Sequence, residues 1–319
     1  MISLNQNVMP IVRQIIASQE KLGCKLITTD CGTKLIDMGI NCRGSWEAGL
    51  LYARVMLGDL GIVQLGQFLL SGDYTLSSVE IHTNDMLTAC FGSQIAGWVI
   101  RDSDDVMVVS GPGRALAAAE SDQFIHLIDY RDNSTEAVLC VQRDKYPSEA
   151  LITYAAEACG VHTKDLYLLI APDNCIVGSI QVASRFLEQA SHKLYSKGLD
   201  PGKVLHCRGS APIAPVIKDS LKAMGRINDA LVYGSELEIW IDANDSEIAK
   251  AIHQIVGKTS SPNYNELFQD IFVKGGGAFY LLDPDVNSVG RIQIHNINTG
   301  RAFCAGEINY ELLRRSFLI

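Results

Sequence analysis

The sequence has no Cys-x-x-Cys pair, although nine cysteines are spread along it at 24, 31, 42, 90, 140, 159, 175, 207 and 304. An odd, scattered set fits reduced, packed thiols better than a disulfide framework. There is no His-Glu-x-x-His and no histidine pair four residues apart among the seven histidines, so no protein-held metal is expected. Positive charge is in short supply: 27 Lys plus Arg stand against 36 Asp plus Glu, a formal charge of −9. Without a dense basic stripe, a nucleic-acid partner is not expected. No window approaches the ~20 unbroken apolar residues of a membrane span, so no membrane partner is expected either. The first residues carry no basic segment, apolar core or small-residue cleavage site, and they read as mature, cytoplasmic protein.

Several nucleotide and hydrolase signatures are also missing. Gly257-Lys258-Thr259 resembles the end of a P-loop, but the first glycine of that motif would fall at Ile252. The turn Ser110-Gly111-Pro112-Gly113-Arg114 departs from the dinucleotide fingerprint, because Leu116 occupies the third glycine position. No Gly-x-Ser-x-Gly elbow occurs, which leaves serine-hydrolase chemistry without a nucleophile.

What is present is a globular composition: 319 residues, 47% hydrophobic and 20% charged. That length suggests two domains with full cores, and the least arbitrary boundary lies at Tyr146-Pro147, giving 1–146 and 147–319. Apolar spacing predicts a helix over 4–22 that becomes regular near Pro10, a hairpin of 25–29 with 34–38, and a helix from Ser45 to Leu57 stopped by Gly58. Strands are expected near 62–69 and 75–83, then an apolar helix around 86–99. After a strand, turn and helix spanning 104–120 come strands at 136–142 and 167–170, a helix from Pro147 and a long helix at 178–195. A Gly/Pro loop at 208–215, strands at 228–241, helices near 246–255 and 264–273, strands near 279–305 and a closing helix at 308–316 complete the pattern. Paired strands without intervening helices favour an α+β (mixed α/β) fold with largely antiparallel or mixed sheets.

Four groups of residues could carry chemistry. The Ser110, Gly111, Gly113 and Arg114 turn could hold an anion on its backbone amides and guanidinium, or simply be a tight turn. On the long helix, Arg185 and Glu188 are three apart on a polar face shared with Gln181 and Ser184; they read either as an exposed ion pair or as the lining of a cleft. Gly209 and Ser210 in the stiff loop, and Arg226, Asn228 and Asp229 ahead of an apolar run, read as turn chemistry or as ligand contacts.

Taken in order, these segments resemble methenyltetrahydromethanopterin cyclohydrolase. The matching stretches are GSWEAG at 44–49, Gly92-Ser93-Gln94 with Ala96-Gly97-Trp98, Ser110 to Ala115, IVGSIQVASRFLE at 176–188, GSAPIAP at 209–215, MGRINDALVYG at 224–234 and Ala305-Gly306-Glu307-Ile308. They run collinearly over essentially the whole chain, and their joint order is more telling than any single one.

The resemblance implies a cytoplasmic homotrimer of subunits with two α/β domains enclosing a cleft. It also implies a hydrolase that interconverts the methenyl and formyl forms of a one-carbon unit on tetrahydromethanopterin, with no bound cofactor and the pterin as substrate carrier. That step serves methanogenesis in one direction and formaldehyde oxidation in the other. The family's catalytic Arg and Glu, three residues apart on a helix, match Arg185 and Glu188. Ser93 and Gln94 match contacts to the pterin head, although Ile95 departs from the Lys or Tyr of other members. The Ser110–Arg114 turn and the 209–215 loop are then candidates for the carrier's anionic tail. A pterin-binding homologue without turnover and a cyclohydrolase for a folate-type carrier are the alternatives.

Overall fold

The computed structural model describes residues 2–72, 74–102 and 105–318. Its helices, in chain order, are α1 (Leu4–Ala17), α2 (Gln19–Leu22), α3 (Trp46–Met56), α4 (Arg114–Ala117), α5 (Glu149–Ala158) and α6 (Ile176–Ala183). Then come α7 (Phe186–Ser196), α8 (Ser220–Gly234), α9 (Asp245–Ala251), α10 (Gly257–Ser260), α11 (Phe268–Lys274) and α12 (Tyr310–Phe317). The strands are β1 (Lys25–Thr28), β2 (Lys34–Asp37), β3 (Gly61–Ser71), β4 (Tyr74–Thr83), β5 (Trp98–Asp102) and β6 (Asp105–Ser110). They continue with β7 (Ala137–Gln142), β8 (Leu166–Ala171), β9 (Val204–Pro212), β10 (Glu236–Ile241), β11 (Arg291–Asn296) and β12 (Ala302–Gly306).

The strands form two open six-stranded sheets, ordered β1-β2-β8-β7-β6-β5 and β12-β11-β10-β9-β4-β3. Both are mixed. In the first, β2, β8 and β7 are parallel and the outer pairs antiparallel; in the second, only β10 and β11 are parallel among the registers described. The α+β expectation therefore holds.

The chain divides into two compact units that exchange segments: Met1–Gly61 with Leu87–Gln181, and Ile62–Met86 with Val182–Ile319. The boundary expected at 146–147 falls inside the first unit. Cutting there would part β7 from β8, which pair residue for residue from Ala137 with Leu166 to Gln142 with Ala171.

The first unit buries two clusters, one on each side of its sheet. On one side α1 and α3 bring Val8, Val12, Tyr52 and Met56 against Val138, Cys140 and Leu169. On the other, α5 brings Leu151, Ile152 and Ala155 against Leu139, Val141 and Leu168. The alternation along β7 explains both, since successive side chains of a buried strand point to opposite faces.

Local chemistry sets the ends of the helices. Ser45 caps α3 by accepting the amide of Ala48 at 3.1 Å, as its position before an apolar stripe predicts. The first helix starts earlier than expected. Ser3 caps it, and Pro10 lies in its interior on the exposed side, where the Gln6 carbonyl that loses a partner can be hydrated.

Other segments differ from the sequence expectations. Thr88–Gln94 is a π-helical turn within the expected 86–99 helix, and β5 begins at Trp98. Residues 208–212 belong to β9 rather than a loop, and 228–234 to α8 rather than a strand. Asp219 caps α8 through the Lys222 amide, and the buried stripe Ala223, Ile227, Ala230, Leu231 and Gly234 runs at helical spacing to its end. The expected strands over 279–290 are short 3₁₀ turns.

Candidate active site

Arg185 and Glu188 lie where α6 gives way to α7. The helix expected over 178–195 is two helices, because the chain tightens at Ser184-Arg185 and the Arg185 amide donates to the Val182 carbonyl at 2.9 Å. Glu188 then falls in the first turn of α7, where the helix dipole favours a negative charge. Arg185 Nη1 donates to Glu188 Oε2 at 2.8 Å.

The two side chains are 10% and 15% exposed, and Gln181 in α6 and Ser184 just after it are fully buried. This is not a solvated helix face. The small remaining exposure leaves a carboxylate, already paired with a cation, that a water molecule can reach.

The position of α7 is set by packing on β9. A Cβ at Gly209 would lie 2.5 Å from the Glu236 carbonyl oxygen and 2.7 Å from Phe186 Cε2. Only a bare backbone lets Phe186, two residues before Glu188, seat this closely. Gly209 therefore helps position the helix that carries Glu188. Ser210 alternates to the other face of the sheet, in a shallow polar depression with Glu80, Glu236 and Arg291. The structure does not bring it to the Arg185–Glu188 pair.

The Ser110–Arg114 turn, expected to be either an anion site or a tight turn, is tied internally by several hydrogen bonds. Gly111, at φ 96°, donates to the Ser93 carbonyl and Gly113 to the Val138 carbonyl, each at 2.8 Å. Arg114 is fully buried, holding Asp122 through Nε at 2.7 Å and Nη2 at 2.8 Å, while Nη1 reaches the carbonyls of Phe91 and Ser93. Ser110 lies at the end of β6, paired with Cys140. The turn spends these amides and its cation internally, as a buried polar assembly must.

Ser93 and Gln94 end the π-helical turn, both fully buried. The Ser93 hydroxyl donates to the Met56 carbonyl at 2.7 Å, so it ties the turn to α3.

Arg226, Asn228 and Asp229 all lie on α8 and face inward. Arg226 Nε donates to the Ser316 carbonyl at 3.0 Å, and the Asn228 amide donates to the Met224 carbonyl one turn back. Asp229 accepts from the Phe268 amide at 2.8 Å and the Ser316 hydroxyl at 2.7 Å. Burial pushes its carboxyl up to about 7, against the pull of those two hydrogen bonds. Arg226 and Asp229 thereby join α8 to α11 and α12.

A polar cluster that sequence reasoning passed over occupies the carboxyl ends of the parallel strands in the first unit. Asp37 accepts from the amides of Gly39, Ile40 and Asn41 and from the Tyr146 hydroxyl at 2.6 Å. Burial alone would raise its pKa, but the hydroxyl and amides bring it below the usual carboxylate value. Beside this chain end, Gln142 donates to Asp173 and accepts from Gln181 Nε2 at 2.6 Å. Only the strand order brings these residues together. Among the described residues no three His, Cys, Asp or Glu side chains converge as metal ligands, and no helix is long and apolar enough to cross a membrane.

A nearly buried Arg–Glu pair opening a helix can orient water and take its proton. A family model described as Cyclohydrolase (MCH) matches residues 3–317. The chain belongs to this cyclohydrolase family. Similar relatives include the methenyltetrahydromethanopterin cyclohydrolase of Methanothermobacter thermautotrophicus, 36% identical over 321 residues, covering 99% of both chains. Those of Methanocaldococcus jannaschii and Methanobrevibacter smithii are each 33% identical, over 99% of this chain and 98% and 99% of their own. With this family's end-to-end match, the two interleaved units are a single cyclohydrolase chain rather than a fusion of unrelated modules.

Proposed function

We propose that this chain interconverts methenyl-tetrahydromethanopterin plus water with formyl-tetrahydromethanopterin, with Glu188 as the base and Arg185 as its partner. The reading rests on one observation above the others: the 2.8 Å pair that opens α7, nearly withdrawn from solvent, in a chain of this family. The methenyl carbon bridges two nitrogens as a cationic amidinium, so it is electrophilic without a Lewis acid. What it lacks is a correctly placed water and a proton acceptor. Glu188 Oε1 or Oε2 orients the water and takes its proton as the C–O bond forms. When the C–N bond breaks, the carboxyl returns a proton to the leaving nitrogen, and the formyl group stays on the other. Arg185 pairs with the Glu188 carboxyl and fixes its rotamer.

Glu188→Gln keeps the shape and removes the base. Turnover, followed as loss of methenyl absorbance, is expected to fall about 100- to 10,000-fold with an unchanged thermal midpoint. Wild-type kinetics in that variant would overturn the assignment, and faster turnover of methenyl-tetrahydrofolate than of the methanopterin substrate would overturn the carrier. We infer further, from the family, a cytoplasmic homotrimer with no bound cofactor; sedimentation equilibrium tests the assembly.

A further inference from the structure

The polar cluster at the carboxyl ends of the first unit's parallel strands has no part in the proton transfers of Glu188. Its place in the fold is one that holds ligands. From the end of β2 the chain turns to the face covered by α3, and from the end of β7 to the opposite face, covered by α5, while β8 runs between the two strands. Connections that part in this way leave a crevice over the middle strand, where open α/β sheets take their ligands. The residues directly after β8 are Pro172, Asp173 and Asn174.

Two carboxylates stand at this end, and they are built differently. Asp37 is fully buried and occupied by three amides and the Tyr146 hydroxyl, so it fastens the 39–41 turn. Asp173 is half-buried and keeps a side toward the outside.

The place of Asp173 is fixed twice over. Gln142 donates to its Oδ1, and Gln142 Oε1 accepts in turn from Gln181 Nε2 at 2.6 Å, with Gln181 fully buried. The backbone is clamped as well. A Cβ at Gly178 would lie 1.9 Å from the Pro172 carbonyl oxygen, and one at Gly39 would lie 2.3 Å from Cys175 Sγ. Two bare backbones thus let α6 and the turn after β2 close on the 172–175 segment. Within it the Cys175 thiol donates to the Pro172 carbonyl and accepts the Gly178 amide, each at 3.2 Å. A carboxylate held this firmly at the rim of a crevice is preorganised to receive N–H donors.

We propose, resting on the cyclohydrolase reading, that Asp173 binds the aminopyrimidinone edge of the pterin carrier. That edge presents the ring N3–H and a 2-amino N–H side by side, and two parallel donors match the two oxygens of one carboxylate. Oδ1 can serve Gln142 and the ring together, because each carboxylate oxygen has two lone pairs. Gln142 and Gln181 are positioning residues that hold the carboxylate for this contact. The head is the same in the methenyl and formyl forms, so the contact strengthens binding of both and bears on KM rather than kcat.

The test is Asp173→Asn, which keeps an acceptor for Gln142 and so spares the brace. The KM for the methenyl substrate is expected to rise about 10- to 100-fold, with little change in kcat and an unchanged thermal midpoint. Two heads without a one-carbon unit, 6-methyltetrahydropterin and its 2-oxo counterpart 6-methyltetrahydrolumazine, are then compared as inhibitors. The wild type should favour the pterin by about 10- to 100-fold, and Asp173→Asn should lose that preference, since an amide can donate to the 2-oxo group. An unchanged KM, equal inhibition by the two heads, inhibition by neither, or the same preference in the variant overturns the role of Asp173 and leaves the cyclohydrolase reading intact. A wild-type chain inert toward the methenyl substrate overturns that reading, and this inference with it.

Discussion

Glu188, proposed as the base, and Asp229 are carboxylates in different surroundings. The Glu188 side chain is 15% exposed and paired with a guanidinium, whereas Asp229 is walled in with two neutral donors and burial raises its pKa from 3.8 to about 7. A carboxyl with a raised native pKa binds more protons folded than unfolded. Its contribution therefore declines as pH climbs from about 4 to about 7, with a slope of at most about 1.4 kcal/mol per pH unit. Asp229→Asn retains an acceptor for the Phe268 amide and should flatten that part of the pH profile of urea unfolding; an identical slope in both proteins would refute the assignment. Arg114 behaves as a buried pair whose loss strands Asp122, so Arg114→Ala should cost about 3–5 kcal/mol in the same assay. The Arg–Glu spacing at 185 and 188 is legible in the sequence because the two stand three residues apart at the opening of one helix, Arg185 as its N-cap and Glu188 in its first turn. Arg114 is not, since its partner lies eight residues on, beyond a helix end, and nothing local marks that return.

At the scale of elements, seating α7 on β9 matters most. Gly209→Ala puts a methyl group into Phe186 and the Glu236 carbonyl, and overpacking of this kind costs about 1–3 kcal/mol. Because the displaced helix carries Glu188, kcat should fall by more than the stability loss explains, measured at a temperature where the variant is fully folded. Capped and periodic elements could be read directly: Ser45 before α3, the β1–β2 hairpin and the β3 and β4 strands appear about where spacing puts them. The errors fell where composition and context conflict. Ala230 to Tyr233 looks like strand but completes the buried face of α8, whose helical form is decided by packing on α11 and α12. The π-helical turn at Thr88–Gln94 depends on one extra residue per turn, which apolar periodicity cannot register.

At the scale of the whole molecule, the chain passes between its two units three times, at 61–62, 86–87 and 181–182. Composition announces none of these passages, since no linker-like segment marks them, and a boundary drawn at Pro147 looks reasonable until the strand order is known. Residues 1–146 produced alone lack β8, which sits between β2 and β7; they should show neither a cooperative urea transition nor dispersed amide resonances, and a folded fragment would contradict this view of the sheet. The thiols have a further consequence. Of the nine, Cys304 alone is exposed, and burial holds Cys24, Cys42 and Cys159 at about 12, far from the thiolate form that electrophiles attack. A maleimide dye offered to the native enzyme should therefore mark the β12 edge of the second sheet first. That gives a ready-made attachment point for fluorescence work without removing a single native cysteine.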